Sequence, residues 1–180
     1  MKKVSLTLVV LLLCVAALSG CGKTEMTKEE FDLYKGDELV KELEFGDDIA
    51  IEEGSEYEDC NTKRGIGLGS TLEEVYQAYK DMDIMPIYQI DDFSDQQFLD
   101  STLQEFYDQR EEHGEGTYEL AFNYYEQDGK WVKAQFGTDN RYLEEEFDLK
   151  KEVNSYLLSI HMKEGEVIMI LLSVSNMISE

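Results

Sequence analysis

Thr117-Tyr118-Glu119-Leu120-Ala121-Phe122-Asn123-Tyr124-Tyr125-Glu126-Gln127-Asp128-Gly129-Lys130-Trp131-Val132-Lys133-Ala134-Gln135-Phe136 decides the fold. Its first half alternates, placing Tyr118, Leu120, Phe122 and Tyr124 on one face of a strand, and Asp128-Gly129 marks a hairpin turn. A two-residue loop opposes Tyr124 to Lys133 and Phe122 to Gln135. A three-residue loop, Gln127-Asp128-Gly129, instead opposes Tyr124 to Val132, Phe122 to Ala134 and Leu120 to Phe136. Keeping the apolar residues on one buried face predicts the second register, which brings Tyr125 and Trp131 together on the other face. The same test over Ser155 to Ser175 predicts a Lys163-Glu164-Gly165 loop. It sets Tyr156, Leu158 and Ile160 against Leu172, Ile170 and Ile168, with Val174 extending the face.

Outward from these four strands the period changes. Gly65-Ile66-Gly67-Leu68-Gly69-Ser70-Thr71-Leu72-Glu73-Glu74-Val75 runs into a helix that Ser70 can cap, with Glu73 closing a capping box. Leu72, Val75, Tyr76 and Tyr79 give it one apolar face. Ser94 and Gln97 offer a second capping box, after which Phe98, Leu99, Thr102, Leu103, Phe106 and Tyr107 repeat at helical spacing until Gly114 ends the run. Between Glu29 and Ile51, apolar residues interrupted by Lys35-Gly36-Asp37 and Gly46-Asp47 predict a strand pair. Residues 139–153 are acidic and unassigned, with Phe147 and Leu149 as apolar pins. The expected architecture is α+β: two amphipathic helices packed on an antiparallel sheet of about four strands, in a single acidic domain spanning 29–180.

The glycines at 65, 67 and 69 precede a helix N-terminus but do not match G-x-G-x-x-G, and the polar Asp59 to Arg64 is no buried strand, so a nucleotide loop is not expected. The segment from Arg64 to Tyr79 instead resembles the helical opening of the β-lactamase-inhibitor-protein-like fold, shared by the small lipoproteins of outer-membrane assembly. That resemblance implies a non-catalytic binding module.

The first 20 residues have the parts of an export signal. Lys2 and Lys3 are followed by an apolar run from Val4 to Leu18, broken only by Ser5 and Thr7, and then by small residues. Fifteen residues of helix reach about 22 Å, short of the ~30 Å hydrocarbon core. Leu18-Ser19-Gly20-Cys21 resembles the lipobox of bacterial lipoproteins. The resemblance implies that the Cys21 thiol receives a diacylglyceryl group and becomes the mature N-terminus, with 21–28 forming the lipidated cysteine and its tether. Two acyl chains anchor stably where one is marginal. The expected location is therefore extracytoplasmic, on a membrane of the cell envelope.

Taking away Lys2 and Lys3 leaves 14 basic against 40 acidic residues, a formal charge of −26. Such a chain repels phosphate backbones, so nucleic acid is not an expected partner. All 11 Tyr, 8 Phe and the single Trp lie beyond residue 20, enough to build a core. Carboxylates crowd Asp37 to Asp59 and Asp91 to Glu115, yet no spaced calcium loop occurs, and a solvated face is expected rather than a metal site. Cys60 has no partner for a disulfide, and Glu58 and Asp59 beside it disfavour the thiolate. His113 and His161 have neither zinc-ligand nor nucleophile-elbow context. The expectations are accordingly no catalytic residues, no cofactor and no metal. The leading function is a lipid-anchored scaffolding or protein-binding module showing an aromatic patch near Tyr125 and Trp131. A small-ligand receptor and, less favoured, a hydrolase are the alternatives.

Overall fold

Strands β6 (Thr117–Gln127) and β8 (Val153–Lys163) form the spine of the molecule, paired antiparallel from Thr117↔Lys163 to Glu126↔Asn154. The computed structural model describes residues 26–82, 85–89, 96–98, 103–108, 116–134 and 140–177. Ahead of the spine come a 3-10 turn (Lys28–Phe31), strands β1 (Leu33–Lys35), β2 (Glu38–Lys41) and β3 (Asp48–Glu52), helix α1 (Leu72–Tyr79), β4 (Met85–Gln89), β5 (Gln96–Phe98) and helix α2 (Leu103–Asp108). After β6 follow β7 (Lys130–Lys133), helix α3 (Asn140–Glu146), β8 and β9 (Glu166–Met177). Among the described residues the main sheet has seven strands in the order β3-β9-β8-β6-β4-β5, with β7 also on β6, while β1 and β2 form a separate hairpin. The edge of β6 is shared, since β4 pairs with Thr117 to Ala121 and β7 with Tyr124 to Gln127.

This mostly-β architecture corrects the expectation of two helices on a four-strand sheet. The four predicted strands are present, but β3, β4 and β5 extend the sheet on both sides. The helix expected between Ser94 and Gly114 is replaced, within the described residues, by a strand at Gln96–Phe98 and a helix of only 6 residues, Leu103–Asp108. Phe98 faces Ile87 in a ladder, so the helical spacing of Phe98, Leu103 and Phe106 links residues of two elements. Ser94 and Gly114, its proposed ends, lie outside the described residues, as do the leader and Cys21.

Helix α1 forms where periodicity places it, with its cap one residue later. Thr71 Oγ1 accepts from the Glu74 amide at 3.3 Å and the Thr71 amide donates to Glu74 Oε2 at 2.8 Å, so the box is Thr71/Glu74 rather than Ser70/Glu73. Ser70 is used differently: its hydroxyl accepts from the Gly67 amide at 3.1 Å and its carbonyl from the Val167 amide at 2.9 Å. The Leu72 amide donates to the Gly165 carbonyl at 2.9 Å. The first turn is therefore stitched to the β8–β9 turn instead of being open to an anion. Gly67 meets a packing need: a Cβ there would lie 3.0 Å from the Cys60 carbonyl oxygen.

Both predicted hairpin loops are corrected to two residues. Asp128 and Gly129 have φ of 53° and 83°, and Glu164 and Gly165 of 53° and 82°, the paired left-handed conformations of a type I′ turn. In the first hairpin Tyr124 opposes Lys133 and Tyr125 opposes Val132. Trp131 thus lies on the face of Tyr124, and Tyr125 on the other. In the second, a bulge between His161 and Met162 absorbs Ile168, and beyond it Tyr156, Leu158 and Ile160 oppose Val174, Leu172 and Ile170. Apart from Ile168, which was expected on the buried face and is 45% exposed, the faces are as predicted, but each partner lies two residues further on.

The reason for the first error is that both faces at that end of the sheet are covered. One face of β6, β8, β9 and β3 buries Tyr118, Leu120, Phe122, Leu158, Ile160, Ile170, Leu172, Ile49 and Ile51 under α1, α2 and the N-terminal segment. On the other, Leu143, Phe147 and Val153 form a second cluster against Tyr125, Val132 and Leu149. A strand buried on both sides gives no alternation by which to choose register.

Candidate functional site

Three constellations bear on function. The first is a polar row on the far face of the sheet, where β6 and β8 place Glu119 directly opposite His161. The Ser159 hydroxyl donates to Glu119 Oε1 at 2.5 Å and lies 3.1 Å from His161 Nε2. A hydroxyl within reach of a histidine is the feature that a hydrolase reading requires; Ser159 and His161 are two residues apart on β8, and what sequence spacing could not show is the carboxylate that β6 brings to them. The geometry is nonetheless wrong for nucleophilic attack. In a triad the histidine receives the serine proton and the carboxylate orients the histidine. Here the hydroxyl sits between carboxylate and imidazole, and Ser159 is 0% exposed. The row is a buried hydroxyl between two partly exposed groups, and it aligns two strands. His113, the other histidine considered, lies outside the described residues.

Burial holds the His161 pKa below its ordinary value, against the attraction of Glu119. The unfolded chain therefore binds a proton more readily than the folded one. The contribution of His161 to stability is complete above about pH 6.5 and declines as pH falls through and below that value. Melting of the parent and of His161→Gln between pH 5 and 8 is expected to show the parent losing ground to the variant as the medium is acidified. A difference that stays flat with pH contradicts this assignment.

The second constellation surrounds Arg64. Its Nε and Nη2 donate to the two carboxylate oxygens of Glu30 at 2.9 and 3.1 Å, and Nη1 to the Ala78 carbonyl at 2.6 Å and to Asp81 at 2.7 Å. Its guanidinium also lies 5.2 Å from the centre of the Tyr79 ring. Burial opposes the Arg64 charge, but the hydrogen bonds of Glu30 and Asp81 more than offset it and hold its pKa above the usual value. A groove of about 420 Å³ opens beside it, lined by Gly65, Ser70, Glu74 and Gln77 among others. Its size matches a small-ligand site, but all three guanidinium nitrogens are already committed within the protein. The groove therefore lacks a charge to offer an anion.

The third is the β1–β2 hairpin with the turn that follows. Leu39, Val40 and Phe45 are 49%, 47% and 63% exposed, three of the four large apolar side chains most open to solvent among the described residues. The Lys41–Asp47 ion pair, at 2.6 Å, folds the Phe45 turn back against the end of β2. Asp37, Glu38, Glu42, Glu44 and Asp48, all exposed, border the strip.

No family model matches the chain, and no curated protein or solved structure matches it either.

The aromatic patch expected near Tyr125 and Trp131 does not form, because the two rings occupy opposite faces. Trp131 is half-buried, stacked on Phe31 at 5.9 Å and 3° and packed on Tyr156 at 4.9 Å. Tyr125 packs under α3. Cys60 is buried, and its thiol pKa is raised first by burial, with Asp59 adding to that and Lys35 opposing it. Among the described residues no three His, Cys, Asp or Glu side chains converge as metal ligands. Sequence reasoning took Leu39 and Phe45 only as apolar residues of the strand pair between Glu29 and Ile51 and did not single out Val40. The signal that was available is that Glu38-Leu39-Val40-Lys41 places two apolar residues side by side, so one must face outward on any strand.

Proposed function

We propose that this chain is a lipid-anchored, extracytoplasmic binding module of the cell envelope, without catalytic residues, that docks another envelope protein on its Leu39–Phe45 strip. The anchoring half of this reading is supported by the Leu18-Ser19-Gly20-Cys21 motif and its leader. The docking half is carried by one observation: Leu39 and Val40 on β2 and Phe45 in the turn that follows are all about half or more exposed in one acidic segment. Exposed apolar side chains rimmed by charge mark interaction surfaces, whereas scattered ones are ordinary. The acidic rim selects a partner whose apolar contact is bordered by Lys and Arg, and it disfavours anionic lipid. Lys28 Nζ reaches Glu42 at 2.7 Å, which ties the strip to the end of the domain where the tether leaves. The partner is accordingly one held at the same membrane.

A photoreactive residue at position 45, irradiated in native membranes, is expected to give one discrete protein adduct that disappears when Leu39 and Val40 are changed to Ser. Because both side chains are exposed, these changes alter stability by no more than about 0.5 kcal/mol each. Adducts with lipid alone, or a protein adduct indifferent to Leu39 and Val40, would refute docking at this strip.

A further inference from the structure

The chain enters the domain at Met26, which packs on the main core and, with Thr27, Lys28, Glu126, Trp131 and Tyr156, lines a groove of about 360 Å³. Met26 follows Cys21 by five residues, and five residues reach about 17 Å at full extension. A cysteine bearing acyl chains has its sulfur at the depth of the lipid glycerol groups. The headgroup zone beyond the hydrocarbon is only about 5–8 Å thick on each side. Met26 therefore stands no more than about 12 Å clear of the headgroups, and the side of the domain that carries it cannot turn away from the bilayer.

That side carries the single tryptophan of the chain. Trp131 is half-buried, with Phe31 stacked behind one face of the indole. Indole rings favour the membrane–water interface, where the ring meets apolar surface and the N–H meets water. The charges around it set the lipid type. Lys28 is engaged by Glu42, and the carboxylates lining the groove are Glu29, which itself lies 3.8 Å from Lys63, and Glu126. They favour the cationic ends of zwitterionic headgroups, which an indole also attracts through its ring, and they repel anionic ones.

We infer that the Met26–Trp131–Tyr156 groove is the membrane-facing side of the domain, resting on the zwitterionic headgroups of the bilayer that anchors it. This rests on lipid attachment at Cys21 as proposed above. The test uses full-length protein extracted from its host, with acylation checked by intact mass, and reconstituted into phosphatidylcholine vesicles. Trp131 emission is expected to shift to shorter wavelength relative to the Cys21→Ser chain in solution. It should also be quenched by phosphatidylcholine brominated near the glycerol end more than by lipid brominated at the chain terminus, and less once phosphatidylglycerol is added. Acylated protein whose Trp131 emission is neither shifted nor quenched overturns the orientation while leaving the anchor intact. Quenching that strengthens with phosphatidylglycerol overturns the assignment to zwitterionic headgroups. Protein without acyl mass overturns the anchor itself.

Discussion

Replacing Arg64 with Met is expected to cost about 3–5 kcal/mol, the penalty for leaving one partner of a buried ion pair behind. The Arg64 and Glu30 side chains are 15% and 7% exposed, and both Glu30 oxygens accept from the same guanidinium. Without it, the Glu30 carboxylate stays buried in a chain already heavily negative. The loss extends beyond one pair, because Arg64 also holds the carbonyl of Ala78 and the carboxylate of Asp81 at the end of α1. The guanidinium is thus the joint between the N-terminal 3-10 turn and the helix. At about 2–4 °C per kcal/mol for a domain of this size, the melting midpoint should fall by roughly 6–20 °C. Arg64→Lys should recover little, since an ammonium cannot span two carboxylates and a carbonyl in the fork geometry. The Glu30→Gln/Arg64→Met double variant should melt above Arg64→Met alone, because the stranded charge is gone. A loss below about 1 kcal/mol, in the range of an exposed pair, would show that the joint is not buried in solution.

How far the sequence discloses this molecule depends on how many sides of each segment are covered. Strands β6, β8 and β9 have one deeply buried face, and the alternation of Tyr118, Leu120, Phe122, Leu158, Ile160, Ile170 and Leu172 identifies it correctly. Register was lost where that condition fails. Around Tyr125 and Val132 the cluster under α3 covers the second face, and Asp128-Gly129 then follows its own preference for the tighter turn. In β9 the bulge at Ile168 preserves the face while moving every partner by two residues. Helix α1 is legible because Leu72, Val75, Tyr76 and Tyr79 share a face and a capping residue precedes them. Strands β4 and β5 are not, because short strands become stable only as part of a wider sheet. The polar constellations are the least legible. Glu119 meets Ser159 and His161 only once β6 and β8 are in register, and Glu30 reaches Arg64 across 34 positions of chain. The Leu39–Phe45 strip shows in sequence only as apolar residues too many for one strand face.

Phe31→Ala is the second large effect. Phe31 is 0% exposed and lies 5.3 Å from Tyr156, 5.9 Å from Trp131 and 6.3 Å from Tyr124, ring centre to ring centre. It is the plug by which the N-terminal turn closes the end of the main sheet, on strands β6, β7 and β8. Truncating such a ring removes its transfer energy and leaves a cavity among side chains that the sheet holds in place, about 3–5 kcal/mol in all. The loss carries its own reporter: Trp131 loses the ring stacked against it, so the native emission of the variant should move to longer wavelength before any unfolding begins. Phe31→Leu should restore part of the stability and little of the stacking. The two large effects also share a structural element, since Glu30 and Phe31 are neighbours in the Lys28–Phe31 turn. Once either Arg64 or Phe31 has been removed, that turn is already loosened and has less left to lose. The double variant should therefore be less destabilised than the two single penalties added together, by more than the ~0.5 kcal/mol scatter expected of independent sites. Strict additivity would mean that the salt bridge and the aromatic plug hold the N-terminal segment separately, and the joint described here would have to be divided in two.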